Sequence, residues 1–138
     1  MATVKVSQKW YGDLAKKAAE SCAGKSALEI GLFVEGQAKE LCPVDTERLK
    51  GSITTASKDF QSNVETPATA GDKITPPKDN GEVYVGSAIE YAEYMEYGTI
   101  KTDAQAFLRP ALDLARGKAL TIVENNGRAE FAEYLNDR

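Results

Sequence analysis

The sequence predicts an α+β domain in which a small antiparallel sheet with a long hairpin loop packs against two or more helices. Apolar residues recur at steps of three or four towards both ends of the chain, the spacing of amphipathic helices. Two runs rich in β-branched and aromatic residues lie between them, separated by proline, glycine and polar residues. No internal repeat is present, so the order helices, hairpin, helices favours helices on one face of one sheet.

Two helices are predicted before the sheet. The first covers residues 10–25, which are rich in alanine, and Gly24 fits its end. The second begins after Ser26, a residue type suited to an N-cap, and carries an apolar stripe through residues 26–41. Pro43 then ends it.

Two glycines lie inside the second helical pattern, at Gly31 and Gly36. Each costs about 1 kcal/mol relative to alanine in a helix interior. Packing must therefore hold the helix there, or another part of the chain must approach it closely.

The sequence in the middle of the chain predicts a capped turn followed by a hairpin. Asp45 can cap a short turn after the proline. Residues 51–60 and 82–87 have strand composition and are expected to pair antiparallel. The loop 61–81 between them is long for a compact domain, so we interpret it either as a mobile hairpin tip or as a segment that neighbouring subunits order.

Helices are again predicted after the hairpin. Residues 87–98 form one, with Gly98 at its C′ position. Pro110 suits the first position of another, which ends at the run Asn-Asn-Gly of residues 125–127, and residues 128–137 form a last short helix.

At 138 residues the chain suits a single domain. We expect a helical extension over 1–25, a core over 26–124 that includes the mobile loop 61–81, and a tail or short helix over 125–138.

Composition excludes several classes of function. The net charge is -4 and no basic stripe is present, so tight binding of nucleic acid is not expected. The chain contains no histidine, which removes the usual general base and the commonest zinc ligand, so we expect no enzyme, no cofactor and no metal. Cys22 and Cys42 are expected to be buried free thiols. No apolar run suits a signal peptide or a membrane span, which predicts a protein made in the cytoplasm.

Three separated segments of the sequence form a distinctive set: Pro43, Val44, Asp45 and Thr46 with Leu49 and Ser52; Tyr91 and Ala92 with Glu96, Gly98 and Thr99; and Phe107, Leu108, Arg109, Pro110 and Ala111. In the same order and at similar spacing, they resemble the signatures of a tailed-phage neck and tail-component family, typified by coliphage Hong Kong 97. Glu47 departs from the pattern, which has glycine at that position. This departure puts in question whether the position needs a left-handed backbone or a close contact that only glycine allows.

The resemblance implies a structural virion protein that joins the DNA-filled capsid to the tail. Such a subunit forms a homo-oligomeric ring, a hexamer or a dodecamer, between the head-closure protein and the tail-completion or tail-tube proteins. DNA passes through the bore without specific binding, and members are not known as enzymes. Two alternatives stay open: a minor tail protein acting in tail assembly, and a small non-viral binding or regulatory module that shares only the scaffold.

Residues within the resembling segments are the candidates for structural or interface roles. Asp45 and Thr46 either cap a turn or contact a neighbouring subunit. Glu96 lies at a helix end, where the helix dipole disfavours a carboxylate. We expect it to pair with Arg109 or Arg48, within the chain or across subunits.

Tyrosines crowd the region between the second strand and the following glycine, and their positions are Tyr84, Tyr91, Tyr94 and Tyr97. Tyrosine is enriched at protein interfaces because it packs broadly and keeps a polar tip. The sequence therefore favours an interface here, with a partly buried helix face as the alternative.

Overall fold

The computed structural model describes residues 2–43, 47–62 and 74–136. Its helices and strands are α1 (Gly12–Leu41), α2 (Glu47–Ser52), β1 (Thr54–Ala56), β2 (Tyr84–Gly86), α3 (Ala92–Tyr97) and α4 (Leu108–Asn136). Two long helices, α1 and α4, pack against each other, and the two strands form an antiparallel sheet with a long intervening loop. The predicted α+β class is confirmed.

The predicted break between the first two helices is wrong, because α1 runs without interruption through it. Ser26 is buried inside the helix, where its hydroxyl accepts a hydrogen bond of 3.2 Å from the Asn126 side chain of α4. Gly24 allows a close approach of another segment, since a Cβ there would lie 2.5 Å from Asn80 Oδ1. Both residues serve packing rather than helix ends.

The predicted end of the last long helix at residues 125–127 is also wrong, and α4 continues to Asn136. Asn126 does not terminate the helix because its side chain is engaged with α1, where it also donates to Glu29 at 3.0 Å. Lys25 of α1 forms an ion pair with Glu130, one turn further along α4. The start differs too, since α4 begins at Leu108, which places Pro110 third and not first in the helix.

Other elements are shorter than predicted. The strand expected over 51–60 is reduced to β1 because its first two residues belong to α2, and the one expected over 82–87 is reduced to β2. The two strands pair antiparallel as predicted, with Thr55 opposite Val85. The helix expected over 87–98 is reduced to α3.

The core lies where α1, α2, α3 and the first turns of α4 meet. Its buried apolar residues are Val34, Ala38, Cys42, Leu49, Ile53, Ala92, Phe107, Ala111 and Ala115. Cys22 and Cys42 are both buried and form no disulfide, as predicted. Across the described ranges, no helix is long and apolar enough to cross a membrane.

The sheet approaches α1 most closely at Gly31. A Cβ on this residue would lie 2.6 Å from Val83 Cγ2 and 2.9 Å from Thr55 Cγ2, whereas one on Gly36 would meet nothing within 4 Å. The close approach predicted for glycines in this helix is therefore present at Gly31 and absent at Gly36.

These two glycines supply a matched pair of variants. We expect Gly31→Ala to lower the free energy of unfolding by about 1–3 kcal/mol, because the methyl group must displace the sheet. Gly36→Ala should raise it by about 0.5–1 kcal/mol, because only helix propensity changes. Urea unfolding of both variants measures the difference, and equal effects would contradict the packing at Gly31.

Candidate functional site

Two of the three resembling segments meet at the buried carboxylate of Glu96. This residue lies near the end of α3 and is 4% exposed. Its carboxylate accepts hydrogen bonds from the backbone N–H groups of Phe107, Leu108 and Arg109, at 2.9, 3.0 and 3.0 Å. These are the N–H groups that the start of α4 leaves without intrahelical partners. Glu96 therefore caps a helix that begins twelve residues further along the chain.

Arg109 reaches back to the same glutamate. Its Nε donates to Glu96 Oε1 at 3.0 Å, and an Nη donates to the Glu96 carbonyl oxygen at 2.9 Å. Its guanidinium also lies 4.8 Å from the centre of the Tyr97 ring. The predicted pairing of Glu96 with Arg109 is present within the chain. Arg48 is exposed in α2 and is not the ionic partner of Glu96.

The cap compensates for the unfavourable position of the Glu96 carboxylate at the negative end of the α3 dipole. Burial alone would raise the pKa of this carboxyl, but hydrogen bonds from the backbone of Leu108, Phe107 and Arg109 and from the Arg109 side chain lower it. The positive end of the α4 dipole faces the carboxylate and offsets the negative end of α3. Glu96 thus stays ionised while joining two helices.

The connection between α3 and α4 is held by backbone geometry. Gly98 has φ +77°, and a Cβ there would lie 2.7 Å from the Ala104 nitrogen. The Thr99 N–H donates to the Thr102 carbonyl at 2.8 Å, and the Gln105 N–H donates to the Met95 carbonyl at 2.8 Å. Glycine is required at residue 98 by both conformation and space, and the predicted helix end there is confirmed.

The four tyrosines between Tyr84 and Tyr97 differ in burial. Tyr91 is half-buried against the core, whereas Tyr84 lies on β2. Tyr94 and Tyr97 are 59% and 65% exposed on α3. Interface involvement stays a prediction for Tyr84, Tyr94 and Tyr97, whereas the alternative, a partly buried position, describes Tyr91.

Asp45 and Thr46 lie outside the described residues, as does most of the loop 61–81. Their predicted roles in capping, subunit contact and ordering stay predictions. Glu47, the residue that departs from the resembling pattern, is the exposed first residue of α2.

A second buried carboxylate, Glu35, lies in α1 and is only 6% exposed. It forms an ion pair of 2.6 Å with Lys39, four residues further along the helix. The hydroxyls of Thr55 and Ser62 both donate to its Oε2 at 2.6 Å. Glu35 thus ties α1 to β1 and to the start of the long loop.

Neither carboxylate belongs to a metal site formed by the described residues. Over 2–43, 47–62 and 74–136, no group of three or more Cys, Asp or Glu residues could hold a metal ion. Compared with known protein families, curated proteins and solved structures, the chain shows no significant match.

Proposed function

We propose that this protein is a structural subunit of the head-to-tail junction of a tailed phage, in the neck or the tail-completion ring. Identical copies form a closed ring, a hexamer or a dodecamer, that joins the DNA-filled capsid to the tail. The ring lies between the head-closure protein and the tail-completion or tail-tube proteins. Its work is mechanical and involves no chemical step.

One observation carries this proposal. The residues that resemble the phage family include both sides of the Glu96 cap, namely Glu96 and Gly98 before the connection and Phe107, Leu108 and Arg109 after it. Two of the three resembling segments thus fix the geometry of one structural unit. A subunit that transmits force between two particles needs such fixed connections.

The surface beside this unit suits contact with a neighbouring protein. Ile100 lies in the Thr99–Thr102 turn and is fully exposed, three residues after Tyr97 and six after Tyr94, whose rings are also exposed. Large apolar and aromatic side chains on a rigid support are typical anchors of protein interfaces. We assign this face to the contact with the adjacent protein of the junction.

The charge of the chain also supports the proposal. A bore through which DNA slides should not neutralise phosphates strongly. A net charge of -4 without a basic stripe meets that requirement.

Deletion of the gene in the phage that encodes it tests the function. We expect DNA-filled heads to accumulate beside complete, unattached tails, visible by electron microscopy of the lysate. Missing or misassembled tails would favour the minor-tail alternative instead. Normal infectious virions would overturn both.

Complementation with surface variants tests the assigned face. We expect Ile100→Ser to reduce the yield of joined virions at least about tenfold, because it removes an exposed apolar anchor worth roughly 1–2 kcal/mol. Thermal stability should not change, since the side chain packs against nothing in the free subunit. Lys101→Ser, in the same turn, is the matched control and should complement fully. Equal yields from the two variants would remove Ile100 from the interface.

A further inference from the structure

Residues 2–11, before α1, form neither helix nor strand and are called the arm here; they carry unburied apolar side chains. Val4, Val6 and Trp10 are 84%, 88% and 83% exposed. Residues 3–7 read Thr-Val-Lys-Val-Ser, and β-branched residues of this kind favour strands. Because side chains alternate along a strand, both valines would lie on one face and Lys5 on the other. The arm is therefore suited to become a strand with one apolar face.

A groove of matching character lies between α1, β2 and α4. Its volume is about 240 Å³, and Arg109 is the one charged residue among those that line it. The residues that define it are Ile30, Val34, Val83, Val85, Leu108 and Leu112. Among the described residues, β2 forms backbone hydrogen bonds with β1 alone, so its other edge has no described pairing partner.

The arm is too short to fill the groove of its own chain. Gly31, which lines the groove, lies nineteen residues beyond Gly12 along α1, which corresponds to about 28 Å at 1.5 Å per residue. Six extended residues connect Gly12 to Val6 and reach at most about 20 Å. Val4 and Val6 therefore cannot both enter the groove of the chain to which they belong.

We propose that the arm of one copy binds the groove of a second copy. Residues 3–7 add a strand to the open edge of β2, and the side chains of Val4 and Val6 enter the groove. Backbone hydrogen bonds to an edge strand together with alternate side chains in pockets are a recurrent mode of peptide binding. The arm carries Lys5 and Lys9 and no acidic residue before Asp13, which suits binding to a chain whose net charge is -4.

Arm and groove are different surfaces, so the contact is heterologous and each copy both gives and receives an arm. Such contacts close into a ring when the rotation between copies allows it. The inference supplies the subunit contact that the proposed ring requires, and to that extent it rests on the proposed function. Purified protein tests the contact, and phage particles test the joining of heads to tails, so each can fail alone.

A mixing experiment with two variants tests the exchange. One variant, Val4→Asp with Val6→Asp, places charges on the apolar face of the arm. The other, Leu112→Glu, places a charge in the groove at a side chain that is 46% exposed. We expect the unmodified chain to assemble in sedimentation velocity and native mass spectrometry. Each variant alone should be monomeric, with association at least about 100-fold weaker. Mixed together, they should form a heterodimer and nothing larger, because a single intact arm and groove remain.

Matched controls separate this contact from general effects of charge. Thr3→Asp with Ser7→Asp adds the same charge to the opposite face of the arm, and Leu120→Glu adds it to α4 at a position outside the groove lining. Both should assemble like the unmodified chain. The proposal is overturned if the unmodified chain stays monomeric, if the arm and groove variants assemble normally, if their mixture gives no heterodimer, or if the controls also lose assembly.

Discussion

Replacement of Glu96 by alanine is expected to lower the free energy of unfolding by about 3–5 kcal/mol. The variant leaves the N–H groups of Phe107, Leu108 and Arg109 without their acceptor, and each unsatisfied buried donor costs about 1–3 kcal/mol. Water can reach part of the opened site, so the total is smaller than three full penalties. Urea unfolding followed by circular dichroism measures the loss.

Two further variants identify which interaction carries this effect. Glu93→Ala removes an exposed glutamate from the same helix and should change the free energy of unfolding by less than about 0.5 kcal/mol. Arg109→Gln removes the ion pair but keeps the three backbone hydrogen bonds, and the arginine side chain is 57% exposed, so a loss of about 1 kcal/mol is expected. If Arg109→Gln costs as much as Glu96→Ala, the ion pair dominates and the cap does not.

Patterns that depend on neighbouring residues predicted the fold class well. The helical spacing along α1 and α4 and the strand composition around β1 and β2 were sufficient for the α+β class and the antiparallel pairing. The end of α3 was equally predictable, since Gly98 combines a positive φ with a close backbone approach.

The length of the two long helices could not be predicted in the same way. Serine, asparagine and glycine usually mark helix ends because their side chains, or the absence of one, favour caps and turns. Here Ser26 and Asn126 hydrogen-bond to each other between α1 and α4, so tertiary packing overrides the local preference. Whether such a residue ends a helix or lies inside it is decided by the pairing of the helices, which the local sequence does not contain.

The Glu96 cap was half predicted. An unfavourable carboxylate at a helix end indicated that Glu96 needs a partner, and Arg109 is that partner. The three backbone donors were missed, because a capping side chain is ordinarily sought immediately before its helix. A usable signal existed: Ala106 and Phe107, which precede α4, have no side-chain oxygen, so the cap had to come from elsewhere.

Glu35 is expected to contribute nearly as much stability as Glu96. Glu35→Ala leaves the hydroxyls of Thr55 and Ser62 without their carboxylate acceptor in a buried site, which should lower the free energy of unfolding by about 2–4 kcal/mol. Glu40→Ala, an exposed position in the same helix, is the control and should be nearly neutral. Urea unfolding at neutral pH measures both.

The same carboxylate should make the fold sensitive to acid. Burial alone raises the pKa of Glu35, but hydrogen bonds from Lys39, Ser62 and Thr55 outweigh it, so the pKa lies below its ordinary value. A carboxyl with a lower pKa in the folded state contributes stability that is complete above the unfolded value, about 4.3, and is lost as pH falls through the folded value. Unfolding at a series of pH values should therefore show a fall in stability below about pH 4.3 that is shallower in Glu35→Gln. Parallel curves for the variant and the unmodified chain would mean that this carboxylate titrates as in the unfolded chain, and that the hydroxyls of Thr55 and Ser62 do not hold its charge.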